Sequence, residues 1–175
     1  MAVSVRKITL WRREIEDRPG ALARVLAPLA DAGASLQVVM GYRYPEPAGQ
    51  AAVELAPVSG GKTTSAAREA GLAPAEIGAL LVEGDDRPGL GRSLSDAIGG
   101  SGINLHFLMA LVAGRRYAAV FGFGSEEDAA RAVPIIKKAA AARPARKPGA
   151  SRRRTSGGKK AAGRKAARKG GRGRR

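Results

Sequence analysis

The sequence contains no cysteine and a single histidine, His106. Disulfides and thiolate metal sites are therefore excluded, and a lone imidazole is a poor metal site. The absence of thiol chemistry fits a reducing compartment, so the cytoplasm is expected. Aromatic residues are scarce, at 4% with one Trp. No apolar stretch approaches the ~20 residues needed to cross a bilayer, so no membrane partner is expected. Residues 1–17 hold no unbroken apolar segment, and no signal peptide is expected. Ser/His/Asp arrangements, zinc-ligand spacings and nucleotide fingerprints are missing too. The pattern predicts a protein that is not an enzyme and carries no cofactor or metal.

Acidic residues are missing from one region only. Residues 1–142 hold 16 Lys/Arg and 15 Asp/Glu, whereas residues 143–175 hold 15 Lys/Arg and no acid. The net charge of +16 therefore describes the tail and not the folded part.

What the sequence does have is a repeat. Asp17-Arg18-Pro19-Gly20 returns as Asp86-Arg87-Pro88-Gly89, 69 residues later. At the same offset Glu14 matches Glu83, Gly33 matches Gly102, Leu36 matches Leu105, and Met40 matches Met109. A match held in register points to two copies of one unit. In the first, Val3 to Ile15 reads as a strand. Leu22, Val25, Leu26 and Leu29 then fall on one helical face, closed at Gly33. Strands follow at Leu36–Tyr44 and Gln50–Val58, then a helix at Lys62–Ala70. The second copy repeats this with a strand at Glu76–Gly84 and a helix at Leu90–Ser101. Strands at Ile103–Ala113 and Tyr117–Gly124 and a helix at Glu126–Ala142 complete it. Ala51-Ala52-Val53 matches Ala118-Ala119-Val120 at an offset of 67, which predicts a second hairpin loop two residues shorter.

Each unit is therefore β-α-β-β-α. The predicted class is α+β: two ferredoxin-like repeats with antiparallel sheets and helices on one face. The expected domains are 1–72, 73–142 and a tail at 143–175. A fourth strand is needed in each unit. Glu76–Gly84 can serve the first, but no apolar run remains after the second, so the units complete each other or a partner chain.

The turns carry the candidate chemistry. Pro presets φ and Gly admits a close backbone approach. The amides of Gly20, Ala21 and Leu22, and of Gly89, Leu90 and Gly91, are expected as free donors at a helix N-terminus, which suits a carboxylate. Asp17 and Asp86 can accept from an ammonium group. A side chain at Gly20 or Gly89 is expected to fill the ligand's space. The alternative is that Asp-Arg-Pro-Gly only caps the helix. Trp11 and Tyr42 can line a cleft, but packing in the core or on a sheet face is the favoured reading.

The passages Asp17-Arg-Pro-Gly-Ala-Leu-Ala-Arg-Val-Leu with Leu29-Ala-Asp-Ala-Gly-Ala-Ser-Leu, and Asp86-Arg-Pro-Gly-Leu-Gly with Gly102-Ile-Asn-Leu, resemble the ACT domain family. The likeness covers about residues 3–140. It implies a β-α-β-β-α-β fold, side-by-side pairing through sheets and hence a homodimer. It also implies a regulatory role with an amino-acid effector held near the turn after the first strand. Carried over by position, it implicates Asp17, Arg18, Pro19, Gly20, Ala21, Leu22, Asp86, Arg87, Pro88, Gly89 and Leu90. The strand after each helix adds Ser35, Gln37, Asn104 and His106. Asn104 fits the family's Gly-x-Asn pattern, whereas the first copy has Ser35 there, so the second site is favoured.

The Ala/Gly/Lys/Arg tail cannot build a core and is expected to be disordered. It resembles linker-histone tails and basic bacterial DNA-binding extensions. Arg152, Arg153, Arg154, Lys159, Lys160, Arg164, Lys165, Arg168 and Lys169 are candidate phosphate contacts, without sequence specificity. The alternative to a ligand-binding role is that the folded part is a dimerisation module and the tail binds DNA or RNA nonspecifically, in association with a nucleoid. A tail that only keeps the chain soluble is the alternative.

Overall fold

The structure, a computed structural model, describes residues 3–142. The tail, with the disorder and nucleic-acid contacts expected of it, lies outside those residues. The elements in chain order are β1 (Ser4–Ile8), β2 (Trp11–Glu16), α1 (Ala21–Asp31), β3 (Val38–Arg43), β4 (Gln50–Ala56) and α2 (Gly61–Glu69). They continue with β5 (Ala73–Pro74), β6 (Gly78–Asp85), α3 (Leu90–Gly100), β7 (Leu105–Ala113), β8 (Arg116–Phe123) and α4 (Glu126–Ala141). Gly33 and Gly102, which follow the first helix of each repeat, both have positive φ, as the sequence requires of a helix terminator.

Two four-stranded antiparallel sheets result, ordered β3-β4-β2-β5 and β1-β6-β8-β7. Strands β2 and β3 are both antiparallel to β4. They are therefore parallel to each other but separated, the split arrangement of a ferredoxin-like repeat.

The N-terminal segment departs from expectation. Val3–Ile15 is not one strand. It splits at Thr9–Leu10 into β1 and β2, which join different sheets. Strand β1 pairs with β6 along Ser4–Ile8 and is the fourth strand of the second sheet. The first sheet is completed by Ala73–Pro74 against Trp11 and Arg12, so Gly78–Asp85 belongs to the second sheet alone. The strand missing from the end of the second unit thus comes from the beginning of the chain.

The hairpin offset is also corrected. Ile15 faces Ala51 and Gly84 faces Tyr117, which makes the offset 66 and the second loop three residues shorter. The Ala-Ala-Val match is out of phase by one residue. In a strand that slip exchanges the buried and outer faces.

Alternation along the strands places the layers. Leu80 and Val82 of β6, with Phe121 and Phe123 of β8, pack under Leu90, Leu94 and Ile98 of α3 and Ile136 of α4. Val53 and Leu55 of β4 pack under Val25 and Leu29 of α1 and Ala67 of α2, beside Trp11. The intervening residues face the other way. Val38, Met40 and Ala56 of the first sheet meet Ala79, Leu81 and Val120 of the second around Leu10. The order of layers is helix, sheet, sheet, helix. A fully buried Leu such as Leu10 contributes about 2–3 kcal/mol through removal from water.

The start of β6 sits tightly against α4. A Cβ on Gly78 would lie 2.7 Å from that of Ala129 and closer still to the Ser125 carbonyl oxygen. Gly78→Ala is therefore expected to lower stability by about 1–3 kcal/mol, read as a fall in the urea midpoint. Gly99→Ala, whose Cβ would meet nothing within 4 Å, should be neutral or raise stability by up to about 1 kcal/mol.

Candidate ligand-binding site

Each Asp-Arg-Pro-Gly sequence forms a tight turn directly into a helix. Gly20 has φ 78° and ψ −1°, and Gly89 has φ 80° and ψ 7°. With Pro before each glycine these are type II turns. They close when the Ala21 N–H donates to the Arg18 carbonyl and the Leu90 N–H to the Arg87 carbonyl, both at 3.1 Å. Ala21 and Leu90 are therefore not free donors, as the sequence suggested. Neither helix has a side-chain cap. Among the described residues, the amides of Leu22 and Gly91 find no backbone acceptor outside their helices. Among the described residues, a Cβ on Gly89 meets nothing within 4 Å, and one on Gly20 meets only Arg24, at 3.4 Å. Glycine is required here by its positive φ and not by crowding.

The remaining turn residues differ between copies. Asp17 accepts from Arg43 at 3.3 Å, and Arg18 pairs with Glu16 at 2.9 Å. In the second copy Arg116 pairs with the neighbouring Asp85 at 3.5 Å, and Asp86 has no ion-pair partner among the described residues. Arg87 turns away from the turn. It donates to the carbonyls of Ala139 and Ala140 at 3.1 and 3.3 Å, where a cation suits the C-terminus of α4.

Ser35, Gln37, Asn104 and His106 are not brought to the turn of their own repeat. Val38 faces Ala56 and Leu55 faces Trp11, so the start of β3 is level with the start of β2. The turn follows the other end of β2, roughly a strand length or 20 Å away. In the second copy Leu105 faces Phe123, which is level with Gly78 at the start of β6. Ser35, Asn104 and His106 are exposed. Gln37 borders a 270 Å³ groove between the sheets, where Arg6 bridges it, at 3.0 Å, to Glu83, at 2.9 Å.

Behind each turn lies a cavity at the same place in the fold, between the first turn of the helix and the far end of the edge strand. In the first copy it measures 330 Å³ and is lined by Asp17, Arg18, Leu22, Gly41, Tyr42, Arg43 and Val53. In the second it measures 190 Å³ and is lined by Asp86, Leu90, Gly91, Leu94, Leu108, Ala110, Val112, Tyr117 and Phe121. The first turn also borders a 540 Å³ cleft lined by Arg13, Glu16, Arg18, Arg24 and Gln50. The edge-strand residues Arg43, Leu108 and Val112 escaped the sequence reading. The signal for Arg43 and Val112 is positional: they lie at the end of the edge strand, which the split topology returns to the turn.

On the face of the first sheet away from its helices, Glu54 is 2% exposed. Tyr42 donates to its Oε1 at 2.9 Å, and Arg12 Nε is 3.7 Å from the same atom. Burial and this hydrogen bond push the Tyr42 hydroxyl up to about 12. Trp11, in contrast, is core. Among the described residues no helix is long and apolar enough to cross a membrane, and no group of three metal-binding side chains occurs.

No protein-family model matches the sequence, and no curated relative does. Solved structures share its fold. A protein from Bacteroides thetaiotaomicron is 14% identical, covering 77% of this chain and 89% of its own, with a TM-score of 0.61. The ligand-free regulatory subunit of aspartate kinase from Thermus thermophilus is 18% identical, covering 79% of this chain and 97% of its own, with a TM-score of 0.55. Aspartokinase III from E. coli, in complex with aspartate and ADP, is 15% identical over 78% of this chain and 32% of its own, with a TM-score of 0.53. The architecture is that of ACT-type ferredoxin-like repeats.

Two outcomes follow. Gly20→Ala and Gly89→Ala should each cost about 1–2 kcal/mol from the left-handed backbone alone, measured by chemical denaturation. Tyr42→Phe should cost about 1–3 kcal/mol by leaving Glu54 without its donor. Because folding raises the Tyr42 pKa, its contribution is complete below pH ~10 and is lost as pH rises towards about 12. Tyr42→Phe should therefore flatten the alkaline fall in melting temperature.

Proposed function

We propose that this chain is a non-enzymatic regulatory protein whose repeats bind a small effector, an amino acid, at the Asp-Arg-Pro-Gly turns. The observation that carries the reading is the recurrence of one cavity behind both turns, each beside an aspartate and an unused helix N-terminal amide. A carboxylate is suited by the amides and the positive end of the helix, and an ammonium group by the aspartate. The shared fold with a regulatory subunit of aspartate kinase supports the regulatory role. A homodimer is part of the proposal. Strand β7 is an edge strand with no charged residue, and its Met109, Leu111 and Val112 are exposed. Such an edge favours pairing with another strand.

Calorimetric titration of the full chain with the twenty amino acids tests the reading. Saturable binding of at least one below millimolar concentration is expected, and its absence for all twenty refutes it. Sedimentation velocity tests the dimer.

The +15 charge of residues 143–175, with no acid among them, favours a second role, nonspecific nucleic-acid binding by the tail. If about five charges meet phosphates, the log-log salt slope is about −4 to −5. A chain ending at residue 142 should lose that affinity in a gel shift.

A further inference from the structure

The two cavities occupy equivalent places, but the first mixes polar and apolar lining where the second is mainly apolar. Leu22 projects over the first, its Cδ2 4.0 Å from where a Cβ of Gly41 would stand; the second has Gly91 at that position. Arg43 is replaced by Val112, and Ala51 by Tyr117. In the first copy Arg43 holds Asp17 at 3.3 Å, so the acceptor for an ammonium group is already engaged. In the second, Asp86 has no ion-pair partner among the described residues and borders an otherwise apolar wall.

We infer that the second repeat alone forms the effector site and that it selects an α-amino acid with an apolar side chain, of about the size of leucine. This rests on the functional reading above and narrows it. The volume of 190 Å³ equals about six waters at ~30 Å³ each. That suits one amino acid and falls below the ~300 Å³ at which sites for larger organic ligands begin. Leu94, Leu108, Val112 and Phe121 offer apolar surface for an apolar side chain to bury and give a charged or amide side chain no polar partner. Asp86 and the Gly91 amide supply one acceptor and one donor at the rim, matching the ammonium and carboxylate common to every amino acid. Tyr117, 6% exposed, also lines the cavity.

The test is calorimetry on the full chain with leucine, valine, phenylalanine, aspartate and lysine, and with 4-methylpentanoate, which is leucine without its ammonium group. Leucine is expected to bind at least tenfold more tightly than aspartate, lysine or 4-methylpentanoate. Gly91→Leu reproduces the first copy and should weaken leucine at least tenfold, while its melting temperature stays at or above that of the unaltered chain. Asp86→Asn should weaken leucine at least tenfold and bring it level with 4-methylpentanoate. If aspartate or lysine binds and leucine does not, the selectivity is overturned and the broader reading stands. If leucine binds with the same affinity to both variants, the assignment to this cavity is overturned and the broader reading again stands. If none of the twenty amino acids binds, the broader reading fails and this inference falls with it.

Discussion

Leu10 is fully buried where the chain leaves one sheet and enters the other. It packs against Val38, Met40 and Ala56 on one side and Ala79, Leu81 and Val120 on the other. This contact makes two repeats a single body. Each sheet is covered by helices on one face only, so each has a second apolar face that water must not reach. Facing the two sheets together solves both problems, and it requires small or medium side chains at alternate positions in both. The same contact holds the Thr9–Leu10 crossing in place and so lets β1 serve the second sheet while β2 serves the first.

The duplication is most informative where its symmetry fails. Met40 faces Glu54 in the first copy, and Met109 faces Val120 in the second. Val120 joins the inter-sheet core. Glu54 is as deeply buried, but it requires Tyr42 and Arg12 to accompany it. A buried carboxylate is costly unless hydrogen-bonded, so the first sheet carries a polar cluster where the second carries apolar contacts. The edge strands follow suit: Tyr42 and Arg43 in β3 occupy the positions that Leu111 and Val112 hold in β7.

The helices, their glycine terminators and the two turns were legible in the sequence because each is decided within a few residues. Leu22, Val25, Leu26 and Leu29 announce one helix face, and Pro19-Gly20 announces a turn. The break at Thr9–Leu10 was not legible. Both halves have the composition of strands, and only the distant partners Ala75 and Leu81 make Leu10 a crossing point. The hairpin offset was misread for a related reason. Ala51-Ala52-Val53 and Ala118-Ala119-Val120 look alike, but the face a strand residue occupies is set by its cross-strand partner. Ser35, Gln37, Asn104 and His106 lie at the far end of their strands from the turns with which the resemblance groups them. Adjacency to the helix in sequence is not adjacency to the turn, because the helix carries the chain back along the sheet before the next strand begins.

The topology also constrains how an effector could act. The second cavity is bounded by α3 and β7, and β7 is one edge of the sheet whose other edge is β1. Strand β1 reaches β2 through Thr9 and Leu10 alone. Ordering at β7 therefore bears on a sheet that includes the first segment of the chain, and a change in that sheet's twist or spacing must be accommodated at the buried inter-sheet core. Close-packed interfaces of this kind deform in discrete steps more readily than continuously. A ligand can shift such an arrangement only by the difference in its affinity for the two states, and by linkage the arrangement returns that free energy as a change in affinity. Two repeats that merely shared a linker would be free of this coupling; two repeats that share a core, with the first segment of the chain completing the second sheet, are not.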